Sequence, residues 1–262
     1  MDLTELSEHQ KDASLSRHPW EKARLAFVLK KIKKHIPNND SPVILDIGCG
    51  DTFVAEGLHD KMPNAIIFCV DIAFTDDQML YYSEKYNNKN IYVFNSLENA
   101  LTKINTDITF VLALDVMEHV ENDMAFLRNI ISIDLFTKDT QFFITVPAFQ
   151  RLFTNHDIIL GHYRRYNNKT LEKVTTQAGL KTVFKGYFFT SLLLPRFLIK
   201  LKEMFIKPKN STTQVAEWRS SAFVTSVFKN TLIFDFMLST FLENFHLKPI
   251  GLSNYIICKK HV

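Results

Sequence analysis

The sequence predicts an α/β fold in which a mostly parallel sheet of seven strands carries helices on both faces. Two observations support this prediction. Short apolar segments alternate with helical patterns along most of the chain, as βαβ units require. The first apolar segment also runs directly into a glycine-flanked turn, VILDIGCGD, at residues 43–51, which is typical of a buried parallel strand that presents a ligand to the next helix. A chain of 262 residues is long enough for one such domain with an added element.

The predicted elements begin with a helix over residues 20–36, whose apolar positions recur at helical spacing until Pro37 ends it. A later helix is predicted from its cap at Asn168 to Gly179. LKTVFKGYF and SNYIICKK are predicted as the sixth and seventh strands. The first five strands are predicted at 43–47, 66–71, 91–94, 108–114 and 142–146, with helices between them at 52–60, 76–86, 97–103 and 121–133.

Two strongly apolar helical segments, SLLLPRFLIKLKEMFIK and AFVTSVFKNTLIFDFMLSTFLENF, follow Thr190 and interrupt the alternation. Three roles remain open for them: a wall over a binding pocket, a homodimer interface, or a surface that rests on a membrane. The resulting domain boundaries are 1–37 for an N-terminal arm and lid helix, 38–189 for the core, 190–250 for the helical insertion and 251–262 for a final strand that returns to the sheet.

The composition narrows the class of protein. A hydrophobic fraction of 46% with 23% charged residues is ordinary for a globular chain, and a net charge of +3 is too small to indicate nucleic-acid binding. The three cysteines show no metal-ligand or disulfide spacing. The polar first 18 residues do not resemble a signal peptide, and no apolar run reaches the roughly 18 residues of a membrane span. We therefore expect a cytoplasmic protein, either free or resting on the inner face of the membrane.

The segment VILDIGCGD resembles motif I of the class I S-adenosyl-L-methionine-dependent methyltransferases. A dinucleotide site needs a third glycine where Phe53 stands, and the Asp46 carboxylate would repel a pyrophosphate but attract the cationic methyl donor. The resemblance implies a Rossmann-like core and S-adenosyl-L-methionine as the cofactor. Methyl transfer from a sulfonium is an in-line displacement that requires no metal, so none is expected. It places Ser96 where the family usually has an acid. The implied cofactor contacts are Asp46, Gly48, Cys49, Gly50, Asp71, Ile72, Asn95, Ser96, Leu97 and Asp115.

A second segment, HDIILGHYRRY from His156 to Tyr166, is dense in residues that can bind or move protons. It is similar to a signature of a bacterial small-molecule branch of the same family, and the whole resemblance covers roughly residues 18–190 and the closing strand. It implies methyl transfer to a small-molecule, lipid-linked or saccharide-linked acceptor, with oxygen as the expected atom and an imidazole as the base. The catalytic candidates are His156, Asp157 and His162, and the substrate-binding candidates are His119, Tyr163, Arg164, Arg165 and Tyr166. The alternative is that an arginine ties this segment to a core acid and that Tyr166 packs.

Three competing functions remain as alternatives. An NAD-dependent oxidoreductase would need the missing third glycine. A non-catalytic interaction module would be expected to have lost its cofactor residues, yet Asp46, Gly48, Gly50 and Asp71 are all present. A nucleic-acid methyltransferase would be expected to carry an N/D-P-P-Y/F motif, which this sequence lacks.

Overall fold

The computed structural model describes residues 17–35, 41–206, 220–243, 245 and 247–261. Most of the predicted N-terminal arm, the helix end at Pro37, and most of the polar segment between the two C-terminal helices lie outside the described residues. The other predicted elements can be compared directly with the structure.

Within the described residues, the strands form a single seven-stranded sheet in the order β3-β2-β1-β4-β5-β7-β6. All pairs are parallel except those made by β7, which runs antiparallel to both β5 and β6. The predicted mostly parallel sheet is therefore confirmed. The strands are β1 (Val43–Ile47), β2 (Ile66–Val70), β3 (Ile91–Phe94), β4 (Phe110–Leu114), β5 (Gln141–Pro147), β6 (Leu180–Phe188) and β7 (Ser253–Lys260).

Helices connect the strands and cover both faces of the sheet. The two C-terminal helices lie between β6 and β7, so the predicted helical elaboration before the last strand is also confirmed. The helices are α1 (Pro19–His35), α2 (Phe53–Lys61), α3 (Asp76–Lys85), α4 (Leu97–Leu101), α5 (Asp123–Ile131), α6 (Asn155–Ile159), α7 (Asn168–Ala178), α8 (Leu193–Phe205) and α9 (Ala222–Glu243).

The core forms two layers, one on each face of the sheet. Successive strand residues point to opposite faces, so Ile44 belongs to one buried cluster and its neighbour Leu45 to the other. On the first face, α1 inserts Phe27 against Phe188, with ring centroids 4.0 Å apart, and against Tyr255 at 5.2 Å. The N-terminal helix is thus part of the core.

Local details differ from the sequence prediction. Asn167, rather than Asn168, caps α7, because its side chain accepts a hydrogen bond from the Thr170 N–H at 2.9 Å. The helix predicted at 121–133 is shorter and is preceded by a 3-10 turn, Met117–His119. Helix α6 was not predicted, because five residues are too few to show a period.

All three cysteines are free and buried. In the part of the chain that the structure covers, no helix is both long and apolar enough to cross a membrane.

Candidate active site

A cleft opens where the strand order reverses, between the carboxyl ends of β1 and β4. Ligands of open α/β sheets bind at this position. The lining residues come from α1, the β1 turn, α2 and β4: Arg17, Glu21, Arg24, Leu25, Asp46, Gly48, Cys49, Asp51, Phe53, Val54 and Leu114.

The turn after β1 folds tightly against the neighbouring loops. Gly48 has φ +69° and Gly50 has φ +60°, both in the left-handed region. The N–H groups of Gly48 and Cys49 donate to the Val70 carbonyl at 2.8 and 3.2 Å. A Cβ on Gly48 would lie 2.5 Å from Val116 Cγ2, so this position needs glycine both for its backbone conformation and for its contact with the loop after β4.

Asp46 is a buried acid of β1 that lines the cleft. It is 1% exposed, and neither carboxylate oxygen has a hydrogen-bond partner among the described residues. Burial raises its pKa to about 7, although the nearby Arg24 opposes the shift. A buried carboxylate without a partner is costly, and a ligand cation in the cleft would satisfy it. The residue therefore fits the ammonium group of S-adenosyl-L-methionine.

Asp71 ties the ends of β1 and β2 together. Its Oδ2 accepts the Gly50 N–H at 2.9 Å and its Oδ1 accepts the Ala73 N–H at 3.1 Å. A carboxylate oxygen can accept more than one hydrogen bond, so both oxygens retain capacity for ligand hydroxyls. The next residue, Ile72, is 90% exposed and presents an apolar side chain beside these oxygens.

The adenine-side candidates follow β3, where Asn95, Ser96 and Leu97 are all partly exposed. Ser96 caps α4, because its Oγ accepts the Asn99 N–H at 3.1 Å. Its hydroxyl can still donate a hydrogen bond to a ligand.

Asp115 follows β4 with φ +57° and has protein partners. Its Oδ1 accepts the Thr145 hydroxyl at 3.0 Å, and its Oδ2 lies 3.2 Å from Arg24 Nη2. The α1 residue Arg24 thus reaches across the cleft to the fourth strand.

A second group of side chains lies just beyond Asp115. Glu118 is 1% exposed, and its Oε2 has no hydrogen-bond partner within the described part of the chain. Burial and the nearby Asp115 raise the pKa of Glu118 well above its usual value. The His119 and His162 rings are 4.7 Å apart at an interplanar angle of 84°. The Tyr163 N–H donates to the Glu118 carbonyl at 2.7 Å, which holds the HDIILGHYRRY segment against the β4 loop.

Asp157 is the buried centre of that segment and is 0% exposed. Its Oδ1 accepts from Arg165 Nε at 2.7 Å and lies 3.0 Å from His162 Nδ1, while its Oδ2 pairs with Arg196 of α8. Although burial opposes ionisation, the hydrogen bond from His162 and the two guanidinium groups hold the Asp157 pKa well below its usual range. Asp157 therefore has no surface on which to contact a substrate, and its geometry suits it to orienting His162.

Three of the expected substrate contacts also have structural partners, which is the alternative that the sequence left open. Arg164 donates to the carbonyls of Val120 and Glu121 at 2.9 and 2.5 Å. Arg165 is buried and also donates to the Ala148 carbonyl at 3.1 Å. The buried Tyr166 hydroxyl donates to Asp123 Oδ2 at 2.7 Å. These bonds tie all three side chains to other parts of the protein and shape the segment.

The other candidates remain accessible. Tyr163 is 53% exposed, and His119 and His156 are exposed as well. Packing around the His156 ring and the nearby Arg196 guanidinium lower the His156 pKa, which favours a neutral imidazole.

Sequence reasoning missed Arg24 and Arg196. Arg24 gave no signal, because a charged residue within an amphipathic helix is ordinary. The sequence does contain a signal for Arg196, because this residue is a cation inside the apolar run SLLLPRFLIK.

Comparison with known proteins supports the same conclusion about family. The methyltransferase domain family matches residues 19–185. The ubiquinone biosynthesis O-methyltransferase of Rickettsia bellii is 31% identical over 109 residues, which are 41% of this chain and 44% of that protein. The corresponding protein of Rickettsia typhi is 28% identical over 110 residues, 41% of this chain and 43% of that protein. The chain thus aligns with less than half the length of these relatives.

Two solved structures share the fold. A 1,6-didemethyltoxoflavin-N1-methyltransferase from Burkholderia thailandensis, with bound 1,6-didemethyltoxoflavin and S-adenosylhomocysteine, has a TM-score of 0.51 at 12% identity, over 99% of this chain and 87% of that chain. A putative sarcosine dimethylglycine methyltransferase from Galdieria sulphuraria has a TM-score of 0.53 at 15% identity, over 92% and 85%. The chain therefore belongs to the methyltransferase domain family.

Proposed function

We propose that this protein transfers a methyl group from S-adenosyl-L-methionine to an oxygen atom of a small molecule, including one linked to a lipid or a saccharide. The observation that carries the proposal is the buried, unpartnered Asp46 carboxylate in the cleft at the switch point of the sheet. The expectation of oxygen draws on the relatives named as O-methyltransferases.

The cleft offers complementary groups for each part of the cofactor, which supplies a methyl group on a positively charged sulfur. Asp46 would accept the ammonium group, and Asp71 would accept the ribose hydroxyls with the oxygen capacity that its backbone bonds leave. The exposed Ile72 and the partly exposed Leu97 would contact the adenine ring, with Asn95 and Ser96 at its edge.

The acceptor would lie against Glu118, His119 and His162. A hydroxyl must lose its proton as the oxygen–carbon bond forms, and a positioned imidazole can assist this step. Asp157 holds His162 by a hydrogen bond of 3.0 Å to Nδ1, which leaves Nε2 for the acceptor side. Tyr163 and His156 would border the acceptor.

A nicotinamide cofactor fits this cleft poorly. Helix α2 begins at Phe53, where a dinucleotide site has its third glycine. A pyrophosphate at the start of this helix would also face the carboxylates of Asp46 and Asp51, which line the cleft.

Isothermal titration with S-adenosyl-L-homocysteine and, separately, with NADH tests the cofactor assignment. We expect the first compound to bind and the second not to bind. Asp71→Ala should weaken S-adenosyl-L-homocysteine binding at least tenfold. Asp139→Ala, which removes a 76% exposed acid before β5, should leave binding unchanged. Binding of NADH alone would overturn the proposal.

Methyl transfer to matched hydroxyl and amine compounds, with a donor carrying a labelled methyl group, tests the acceptor atom. We expect label in the hydroxyl compounds, and label confined to the amines would contradict the assignment to oxygen. The cytoplasmic location, a peripheral membrane contact and a homodimer stay predictions.

A further inference from the structure

A second buried acid lies at the border of the cleft, and the cofactor would not provide a partner for it. The cofactor ammonium accounts for Asp46 after β1. Glu118 follows β4, is equally buried, and has a carboxylate oxygen without a hydrogen-bond partner among the described residues. Burying such a group is costly unless a cation or donor satisfies it.

Two imidazoles lie at the position where a partner for Glu118 would bind. One ligand atom from each of Glu118, His119 and His162 can be chosen so that the three lie within 4.8 Å of one another. Nitrogen and oxygen ligands lie about 2.0–2.2 Å from a transition metal, so a shift of roughly 1 Å would let the three groups share one ion.

The environment of His162 resembles that of a metal-ligating histidine. Asp157 pairs with Arg165 and Arg196, and its Oδ1 accepts the hydrogen bond from His162 Nδ1, 3.0 Å away. The proton therefore lies on Nδ1, and in the neutral imidazole it is Nε2 that carries the lone pair. A carboxylate bonded to the other nitrogen of a histidine is the usual support of a metal-ligating imidazole.

We propose that Glu118, His119 and His162 bind a divalent transition-metal ion. Two imidazoles and one carboxylate suit zinc, iron, cobalt or manganese better than magnesium or calcium, which prefer oxygen ligands. Three protein ligands leave coordination positions open for a substrate. This inference revises the expectation that no metal is required. His162 lies far from Glu118 in sequence and joins it through the fold.

The role of the ion rests on the proposed function. A hydroxyl oxygen of the acceptor would occupy an open position, and the ion would favour its ionised form. The hydroxyl proton would pass to water. An oxygen lone pair would then form the bond to the methyl carbon as the carbon–sulfur bond breaks, with its electron pair remaining on sulfur. His162 would act as a ligand in this state.

Cobalt(II) titration of the metal-stripped full-length protein tests the site, by visible absorption and by calorimetry. We expect a single equivalent to bind, with an absorption band characteristic of nitrogen ligation. His119→Ala, Glu118→Gln and His162→Ala should each weaken binding at least tenfold. His261→Ala, which removes an exposed histidine just after β7, at the end of the sheet where β5 begins, should not change cobalt binding.

S-adenosyl-L-homocysteine binding, measured on the same samples, separates the two proposals and reports folding. Absence of cobalt binding by the wild-type protein, or equal binding by all variants that still bind S-adenosyl-L-homocysteine, would overturn the metal site and leave the cofactor assignment standing. Cobalt binding by a wild-type protein that does not bind S-adenosyl-L-homocysteine would support the metal site and refute the proposed function.

Discussion

Asp46 illustrates how one residue can oppose folding and favour binding. Its pKa rises from 3.8 to about 7 in the folded protein, so the folded state holds a proton that the unfolded state releases. The free energy of unfolding therefore falls as pH rises from 3.8 to about 7. Above pH 7 the full cost of ionising the buried Asp46 is present.

We expect Asp46→Asn to stabilise the cofactor-free protein at about pH 8 by roughly 1–4 kcal/mol and to weaken S-adenosyl-L-homocysteine binding at least tenfold. Urea unfolding at about pH 8 and at about pH 4 checks the first part, because the gain should largely disappear at the lower pH. An equal gain at both pH values would exclude the protonation cost as its cause.

Two histidines of the HDIILGHYRRY segment differ in how firmly they are held. Asp157 fixes His162, whereas His156 lies on the exposed side of α6. Both His162→Ala and His156→Ala should retain S-adenosyl-L-homocysteine binding and lower turnover. The loss should be greater for His162→Ala, at roughly 100-fold or more. Full activity of His156→Ala would show that this residue does not border the acceptor, and full activity of His162→Ala would remove the acceptor site from this position.

Gly48 is constrained twice, by φ +69° and by the 2.5 Å approach to Val116. Gly161 provides a matched control, because its φ is +71° but nothing lies within 4 Å of its added Cβ. Gly161→Ala should cost only the backbone strain, about 1–2 kcal/mol. Gly48→Ala should cost about 1–3 kcal/mol more, measured by urea unfolding. Equal costs would show that the loop carrying Val116 yields without penalty.

Among the elements, α8 has its polar side turned inward. Arg196 pairs with Asp157, Lys200 donates to the Phe153 carbonyl at 2.6 Å, and Glu203 accepts the Asn155 N–H at 3.0 Å. The outward side carries exposed apolar residues instead: Leu194, Phe197, Leu198, Met204 and Phe205. The helix therefore supports the acceptor side of the site through ion pairs and hydrogen bonds.

Substitutions on the inward and outward sides of α8 should therefore differ in their effect on the free energy of unfolding. Arg196→Met should destabilise the protein by about 3 kcal/mol, because it leaves the buried Asp157 with less compensating charge. Phe205→Ser, at a position that is 84% exposed, should change the free energy of unfolding by less than about 0.5 kcal/mol. Thermal and urea unfolding check both values. A large loss from Phe205→Ser would mean that this side is covered in solution.

At the scale of the whole molecule, the sequence predicted the sheet better than the site. Strand periodicity and the β1 turn are local signals, so β6 and β7 match their predicted ranges and Asp46, Gly48 and Gly50 lie at the cleft. The burial of Arg165 and Tyr166 and the meeting of Glu118 with His162 depend on contacts distant in sequence. Residue types alone do not distinguish an arginine that binds substrate from one that holds a loop.

The pH dependence of cofactor binding is also set by residues from more than one element. Asp46 belongs to β1, but the Arg24 guanidinium of α1 lowers its pKa from across the cleft. S-adenosyl-L-homocysteine binding should therefore strengthen as pH rises through about 7, where Asp46 ionises, and then level off. Arg24→Met should move that midpoint upward by roughly half to one pH unit, measured by calorimetric titration across the pH range. As a control, Arg128→Met on the exposed side of α5 should leave the midpoint unchanged. A midpoint that stays fixed or moves downward in Arg24→Met would show that α1 does not influence the ionisation of Asp46.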